Sequence, residues 1–246
     1  MKLSEVLNGC SVMHTRGDPH TTISGITLDS RQVLQGYLFV AVRGMKMDGN
    51  RFVPDALARG AAAVVSALPG DAYPGVTWIQ VADEREALAT LAANLHEHPA
   101  KKLHAIGVTG TNGKTTTTYL IESILKAAGF PCAVFGTIDY RGPGFLFPAE
   151  RTTPEAPELQ ALFRRVVEGG WKHAVMEVSS HAIELKRVLG LHFEVAVFTN
   201  LTRDHLDLHG DMQSYFQAKK KLFTGLDGSI PRVLVLNVDD PYFEEL

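Results

Sequence analysis

The apolar residues of this chain follow two patterns, and each pattern predicts one kind of secondary structure. Short continuous apolar runs are typical of strands buried on both faces, whereas apolar residues three or four positions apart indicate helices. The predicted strands are 37–42, 62–65, 105–109, 132–135, 174–178, 195–199 and 233–236. The predicted helices are 53–59, 84–95, 114–128, 159–168 and 215–223. Strands that alternate with helices in this way predict an α/β fold.

The helical pattern at 84–95 is followed by the segment His-Pro-Ala-Lys-Lys at 98–102, which divides the chain in two. Proline and paired lysines interrupt the pattern, so we predict a first domain at 1–98 and a second at 99–246. The first is predicted to be a small α/β domain. The second repeats a strand-helix order that predicts a mostly parallel sheet, with ligands beyond the carboxyl ends of its strands. Within it, the Gly/Pro-rich segment 141–144 predicts a mobile loop.

The composition is that of a folded globular protein without a basic surface field. Hydrophobic residues make up 45% of the 246 residues and charged residues 21%, which is unlike a disordered chain. The formal net charge is −3, from 24 Lys and Arg against 27 Asp and Glu, so we expect no nucleic-acid partner. An anionic ligand must therefore be held by a local site.

The cysteines and the lengths of the apolar segments indicate in which cellular compartment the protein is expected. Cys10 and Cys132 are far apart and fall in no metal-ligand spacing, which argues against a disulfide framework and favours a reducing cytoplasm. The start of the chain carries polar residues where a signal peptide needs an apolar run, and no segment has the length of a membrane span. We therefore predict a soluble, cytoplasmic protein that does not engage a membrane.

A glycine-rich segment, Gly-Val-Thr-Gly-Thr-Asn-Gly-Lys-Thr at 107–115, joins a predicted strand to a predicted helix. It departs from the standard phosphate-loop pattern, which has a glycine where this chain has Val108. Its backbone N–H groups can nevertheless close on phosphate oxygens, Lys114 supplies a positive charge, and the Thr115 hydroxyl can ligate Mg²⁺. The alternative is a glycine-rich turn without a ligand. The Lys-Thr pair directly after a strand favours nucleotide binding.

Polar residues follow the neighbouring strands at the same predicted sheet edge. Glu177 lies within the apolar run 174–178, and a carboxylate buried there needs a partner, which is either a metal ion or a lysine. Asp204 and His205 follow the strand 195–199. The Ser-His pair at 180–181 does not indicate a hydrolase, because the Gly-x-Ser-x-Gly pattern is absent.

Several of these segments together resemble a known family, the Mur ligases. The segments that resemble its central domain are 107–115, 177–181, 200–207 and 237–241. The segments that resemble the UDP-binding N-terminal domain of its tripeptide-synthetase members are 25–31, 36–42 and 48–49, and the segments 151–154 and 179–187 favour the same members. The resemblance covers essentially the whole chain.

The resemblance implies ATP-dependent amide ligation in peptidoglycan precursor synthesis. The D-glutamate carboxylate of UDP-MurNAc-L-Ala-D-Glu would be activated by ATP as an acyl phosphate and joined to an amino acid. As the added residue, meso-diaminopimelate is favoured over L-lysine. The implied partners are therefore small molecules, and we expect a monomer.

The resemblance also assigns a role to individual residues. The implied catalytic residues are Lys114, His205 and Lys219. The implied ATP contacts are Gly110, Thr111, Asn112, Gly113, Lys114, Thr115, Thr116 and Asn200. The implied Mg²⁺ ligands are Thr115, Glu177, His205 and Lys219, the last after carbamylation by CO₂. The implied substrate contacts are Ser30 for the uracil nucleotide and Thr152, Thr153, Ser179 and Arg187 for the muramoyl peptide. Without the resemblance, the lysines at 219–221 would be interpreted as a solvated helix face.

Two features of this sequence differ from the family pattern. The family has a third domain that binds the amino acid, and these residues do not include it, so we expect an incomplete central domain that binds ligands but ligates poorly. The residues Met-Lys-Met at 45–47 stand where some relatives carry polar substrate contacts. Two alternatives remain, a noncatalytic nucleotide-binding module derived from the ligase and an enzyme like folylpolyglutamate synthase. The second is weaker because the first domain resembles a UDP-binding domain.

Overall fold

A computed structural model describes residues 1–44, 47–204, 209–226 and 229–246. The chain folds into two compact units, Met1–His98 and Pro99–Leu246, and each has its own β-sheet. The segment at 45–47, where the sequence departs from some relatives, lies mostly outside the described residues, as does the predicted metal ligand His205. No helix in the described part of the chain combines the length and apolar character needed to cross a membrane.

The first unit is a five-stranded sheet flanked by helices. Its strands are β1 (Val12–Arg16), β2 (Gly25–Thr27), β3 (Tyr37–Val40), β4 (Ala63–Ser66) and β5 (Trp78–Val81). Its helices are α1 (Leu3–Val6), α2 (Val53–Ala58) and α3 (Glu84–Leu95). The strand order is β1-β5-β4-β3-β2, in which β2 to β5 are parallel and β1 is antiparallel to β5.

The second unit is a seven-stranded sheet with a parallel part and an antiparallel edge. Its strands are β6 (His104–Thr109), β7 (Cys132–Phe135), β8 (Asp139–Gly142), β9 (Phe145–Pro148), β10 (His173–Glu177), β11 (Val195–Phe198) and β12 (Val233–Leu236). Its helices are α4 (Lys114–Ala127), α5 (Ala156–Glu168), α6 (Ser180–Glu184) and α7 (Met212–Thr224). The strand order is β12-β11-β6-β10-β7-β8-β9, and only the pairings of β8 are antiparallel.

The central strands of this sheet bury both faces. Along β10, Val175 belongs to a cluster that packs with α4, whereas the next residue, Met176, belongs to the larger cluster that contains Phe163 of α5. Alternate residues of a strand point to opposite faces, so a continuous apolar run is needed to cover both. The predicted α/β fold with mostly parallel sheets is therefore confirmed.

The Gly/Pro-rich segment 141–144 is part of a β-hairpin, so the prediction of a mobile loop was wrong. It joins β8 to β9, and Gly144 takes a positive φ of 71° at the turn. The aromatic ring of Phe145 stacks on Phe147, with ring centroids 5.7 Å apart, and the guanidinium of Arg165 lies over Phe145. The contact with Arg165, a residue of α5, holds the hairpin against a sequence-distant part of the chain.

Candidate nucleotide and metal site

The glycine-rich loop lies between β6 and α4, at the carboxyl edge of the parallel strands. Gly110 has φ of +142°, and a Cβ atom there would lie 1.9 Å from the Thr199 hydroxyl oxygen. Gly113 has φ of +84° and precedes the first residue of α4. Both positions favour glycine because L side chains rarely adopt these φ values. The loop therefore wraps closely around the end of β11, and its shape depends on this approach.

Lys114 folds back over the loop at the beginning of α4. Its Nζ donates hydrogen bonds to the carbonyl oxygens of Gly110 and Thr111, at 3.0 and 2.9 Å. Burial lowers the pKa of Lys114, and the nearby negative charges of Glu177 and Asp204 partly oppose that shift. The amine thus lies where its charge acts on any anion held by the loop.

Asn200 holds the loop from the neighbouring strand. Its Oδ1 accepts a hydrogen bond from the Asn112 backbone N–H at 3.0 Å, and its Nδ2 donates to the Asn112 carbonyl at 3.1 Å. The backbone carbonyl of Asn200 also accepts from the Thr111 N–H at 2.9 Å. Thr116 follows Thr115 in the first turn of α4. The structure therefore brings together the residues predicted to contact ATP.

Glu177 ends β10 and is 1% exposed. Its Oε1 accepts hydrogen bonds from the Thr115 hydroxyl at 2.9 Å and from the Thr137 N–H at 2.8 Å, and its Oε2 accepts from the Thr137 hydroxyl at 3.1 Å. Neutral donors thus stabilise a buried carboxylate, which otherwise costs several kcal/mol to bury.

The donor atoms at this position fit Mg²⁺. The ion takes hard oxygen ligands, and the structure places the Thr115 hydroxyl and the Glu177 carboxylate side by side. Within the described ranges, no group of three or more His, Cys, Asp or Glu residues is arranged to hold a metal. Of the predicted set, His205 lies outside those ranges, whereas the Lys219 amine contacts the Gly110 carbonyl of the same loop.

Lys219 lies on α7 and is also 1% exposed. Its Nζ donates to the Gly110 carbonyl at 2.9 Å and lies 4.4 Å from the ring centroid of Tyr215. Burial, with a contribution from the positive charge of Lys114, lowers the pKa of Lys219 to about 7. The interpretation of Lys219 as part of a solvated helix face is therefore wrong, whereas Lys221 is exposed and pairs with Glu184 at 2.6 Å.

The predicted contacts to the muramoyl peptide in this unit lie around the end of β10. The buried Thr153 donates its hydroxyl to the Glu177 backbone carbonyl at 2.8 Å. The Ser179 hydroxyl accepts from the Ala182 N–H at 3.1 Å and caps α6. Arg187 donates to the Thr153 carbonyl at 3.1 Å and pairs with Glu155 at 2.9 Å. These contacts fix the three side chains relative to the end of β10.

The remaining predicted substrate contacts are Thr152 and Ser30. The Thr152 hydroxyl lies 3.1 Å from the Thr137 hydroxyl, which connects it to the Glu177 network. Ser30 is a buried residue of the first unit, at the beginning of a short 3-10 helix after β2.

Thr137 and Tyr215 belong to the site but were not predicted from sequence. Thr137 connects Glu177 to Thr152, and the Tyr215 hydroxyl lies 3.3 Å from the Thr111 hydroxyl. Thr137 could have been predicted from sequence, because it follows β7 at the sheet edge where the other site residues were expected. Tyr215 had no such signal, since helical spacing identifies it only as a core residue. Ser180 is buried, and its hydroxyl lies 3.0 Å from Nε2 of the partly buried His209.

The family profile described as "Mur ligase middle domain" matches residues 108–246, and the one described as "Mur ligase family, catalytic domain" matches residues 22–96. A UDP-N-acetylmuramoyl-L-alanyl-D-glutamate–2,6-diaminopimelate ligase of Geobacter sulfurreducens is 50% identical over 98% of this chain and 48% of that protein. The ligase of the same name from Solibacter usitatus is 48% identical over 100% of this chain and 50% of its own length. The chain thus spans about half the length of these curated relatives.

Solved structures give the same relationship. A structure of a UDP-N-acetylmuramoyl-L-alanyl-D-glutamate–2,6-diaminopimelate ligase superposes with a TM-score of 0.82 at 31% identity, covering 100% of this chain and 48% of that one. A crystal structure of MurF from Acinetobacter baumannii has a TM-score of 0.69 at 23% identity, over 99% of this chain and 50% of its own. The second similarity shows a shared fold.

Proposed function

Because the chain belongs to the Mur ligase family, we propose that it takes part in ATP-dependent amide ligation on a peptidoglycan precursor. The carboxylate of UDP-MurNAc-L-Ala-D-Glu is activated by phosphoryl transfer from ATP and then joined to an amino acid. The names of the similar ligases favour meso-diaminopimelate over L-lysine. The observation that carries the proposal is the contact of Thr115 with Glu177 beside a loop on which Lys114 and Lys219 converge.

In the proposed phosphoryl transfer, residues of the second unit have different roles. The backbone N–H groups of the loop and the beginning of α4 bind phosphate oxygens, and Lys114 balances their charge. Thr115 and Glu177 would hold Mg²⁺, and the ion would supply positive charge to offset the negative charge that develops on the transferred group. His205 is proposed as a further ligand. Asn200 keeps the loop in its binding shape through its bonds to Asn112.

Lys219 is proposed to be carbamylated. Its amine is buried, and a pKa near 7 leaves a substantial neutral fraction at neutral pH. A neutral amine can attack CO₂, forming an N–C bond and releasing a proton. The Lys219 side chain, a cation when protonated, would then be a carbamate anion with two oxygen atoms. That anion would serve as a metal ligand and would reduce the repulsion between Lys219 and Lys114.

The two units are proposed to bind different parts of the reactants. The first unit, with Ser30, takes the uracil nucleotide, and the second takes ATP. Thr152, Thr153, Ser179 and Arg187 contact the muramoyl peptide. The guanidinium of Arg187 suits this role because it binds carboxylate or phosphate oxygens through parallel hydrogen bonds. We further propose a cytoplasmic monomer that acts on small molecules and engages neither nucleic acid nor membrane.

The Thr115→Ala variant tests this proposal most directly. Calorimetric titration of ATP with and without Mg²⁺ should show that the metal tightens binding to the unmodified chain. In the variant, the factor by which Mg²⁺ increases ATP affinity should be about tenfold smaller, which corresponds to roughly 1.4 kcal/mol. Thr117→Ala is the matched control, because Thr117 lies in the same helix but is not among the residues assigned to the site. Equal binding by Thr115→Ala and the unmodified chain would contradict the proposed metal site.

A further inference from the structure

An open apolar pocket of about 360 Å³ lies beside the glycine-rich loop, within the second unit. Its lining residues are Thr115, Thr116, Tyr119, Leu120 and Ile138. The volume is in the range of small-molecule sites, roughly 300 to 1,000 Å³. Neither the ATP contacts nor the proposed muramoyl-peptide contacts include Tyr119, Leu120 or Ile138, so this wall has no assigned role.

The apolar wall is exposed, yet one of its side chains is held rigidly. Leu120 is 58% exposed and Ile138 is 59% exposed, which leaves apolar surface next to a polar site. The guanidinium carbon of Arg141 lies 4.3 Å from the ring centroid of Tyr119, and Arg141 also donates to the Tyr119 hydroxyl at 3.1 Å. Arg141 is itself paired with Glu122 and Asp139. The ring is therefore positioned in advance rather than ordered by a ligand.

The lining of the pocket is linked to two parts of the proposed site. Thr115 lines the pocket and also donates to Glu177, so one side borders the proposed metal position. Ile138, which also lines it, directly follows Thr137, whose hydroxyl lies 3.1 Å from Glu177 Oε2 and 3.1 Å from the Thr152 hydroxyl. Thr115 and Thr137 thus connect the lining, through Glu177, to a proposed peptide contact.

We propose that this pocket binds the aliphatic part of the acyl substrate next to the reacting carboxylate, namely the alanyl methyl group and the glutamyl methylene groups. The inference rests on the proposed function and adds Leu120 and Ile138 to it as specificity-determining residues, with Tyr119 as a preorganised wall. Burial of these carbons removes apolar area from water on both the ligand and the pocket, which favours binding. Bulky or charged substituents on those carbons would not fit the apolar lining of the pocket.

The test compares Leu120→Ala with Ile124→Ala as its matched control. Both side chains are exposed on α4, and Ile124, at 67% exposure, lies one turn beyond the pocket lining. Calorimetry with UDP-MurNAc-L-Ala-D-Glu, UDP-MurNAc and Mg·ATP separates the peptide, nucleotide-sugar and ATP contributions. Leu120→Ala should weaken binding of the dipeptide-bearing ligand about fivefold to tenfold and leave the other two within about twofold. Leu120→Met, which keeps the side-chain volume, should bind like the unmodified chain.

The outcomes separate this inference from the function on which it rests. If the unmodified chain binds neither Mg·ATP nor UDP-MurNAc, the proposed function fails. If it binds both but Leu120→Ala leaves dipeptide binding unchanged, or Ile124→Ala weakens it equally, the pocket inference is overturned and the proposed function stands. Loss of ATP affinity alone in Leu120→Ala would assign the pocket to the nucleotide and would also overturn the inference.

Discussion

Lys219 shows how the tertiary environment changes the chemistry of one residue. Its amine is buried against the ring of Tyr215 and the Gly110 carbonyl, close to the positive charge of Lys114. Removal of an ammonium group from water disfavours its charged form, and a second cation nearby adds to the effect. The same residue type two positions further along, Lys221, is exposed and pairs with a carboxylate. The lowered pKa of Lys219 therefore comes from its position in the fold.

The stability of the chain should increase with pH as Lys219 loses its proton. The pKa of Lys219 is about 7 in the folded chain, against an ordinary value of 10.5. Between these values the unfolded state binds more protons than the folded state, so the free energy of unfolding rises with pH. Below about pH 7 both states are protonated and Lys219 contributes no slope. The stabilisation of Lys219→Met relative to the unmodified chain should therefore be largest at pH 6 and shrink towards pH 10.

Urea unfolding in CO₂-free buffer with EDTA measures this difference at each pH. Lys221→Met serves as the control, because an exposed lysine should give a difference that does not depend on pH. A constant difference for Lys219→Met over the same range would show that Lys219 is charged in the folded chain.

At the scale of elements, β12 differs from the other parallel strands. Its sequence, Val-Leu-Val-Leu, is that of a strand buried on both faces, yet the first three of its four residues are exposed. Its outer edge has no paired strand in the described ranges. Exposed apolar strands at a sheet edge are templates for pairing with other chains.

Any self-association that the chain shows at high concentration should therefore depend on β12. Val235→Lys places a charge on this edge strand and should shift the chain towards monomer, as measured by sedimentation velocity at rising concentration. Val238→Lys adds the same charge at an exposed position just outside the strand, which controls for net charge. An equal shift in both variants would exclude β12 as the associating surface.

Sequence patterns predicted the strands that consist mainly of a continuous apolar run. β6, β7, β10 and β11 were found from their apolar runs, since burial on both faces demands apolar residues at every position. β1 was not predicted, because the residues of Val12–Arg16 are mostly exposed and polar. The hairpin of β8 and β9 was interpreted as a loop, since its order comes from the contact of Phe145 with Arg165.

At the scale of the whole molecule, each unit has a separate sheet and core, so each proposed ligand should act locally. Hydrogen exchange with mass spectrometry checks this assignment. UDP-MurNAc should slow exchange in 26–33 around Ser30, and Mg·ATP should slow exchange in 107–118, because a ligand suppresses local opening of the segment it binds. Protection of 107–118 by UDP-MurNAc alone, or of 26–33 by ATP alone, would contradict the proposed roles of the two units.

The sequence by itself determined the fold class and the chemical type of the loop. Apolar runs specify strands and glycines permit positive φ, and both effects are local, so they can be predicted without a structure. Only the tertiary structure decided which groups the side chains of the second unit contact. Glu177 meets Thr115 and Thr137, Lys219 is buried against Gly110, and Leu120 forms part of a pocket because strands distant in sequence end at one sheet edge. Spacing along the chain carries no record of those distances, which arise when the sheet assembles.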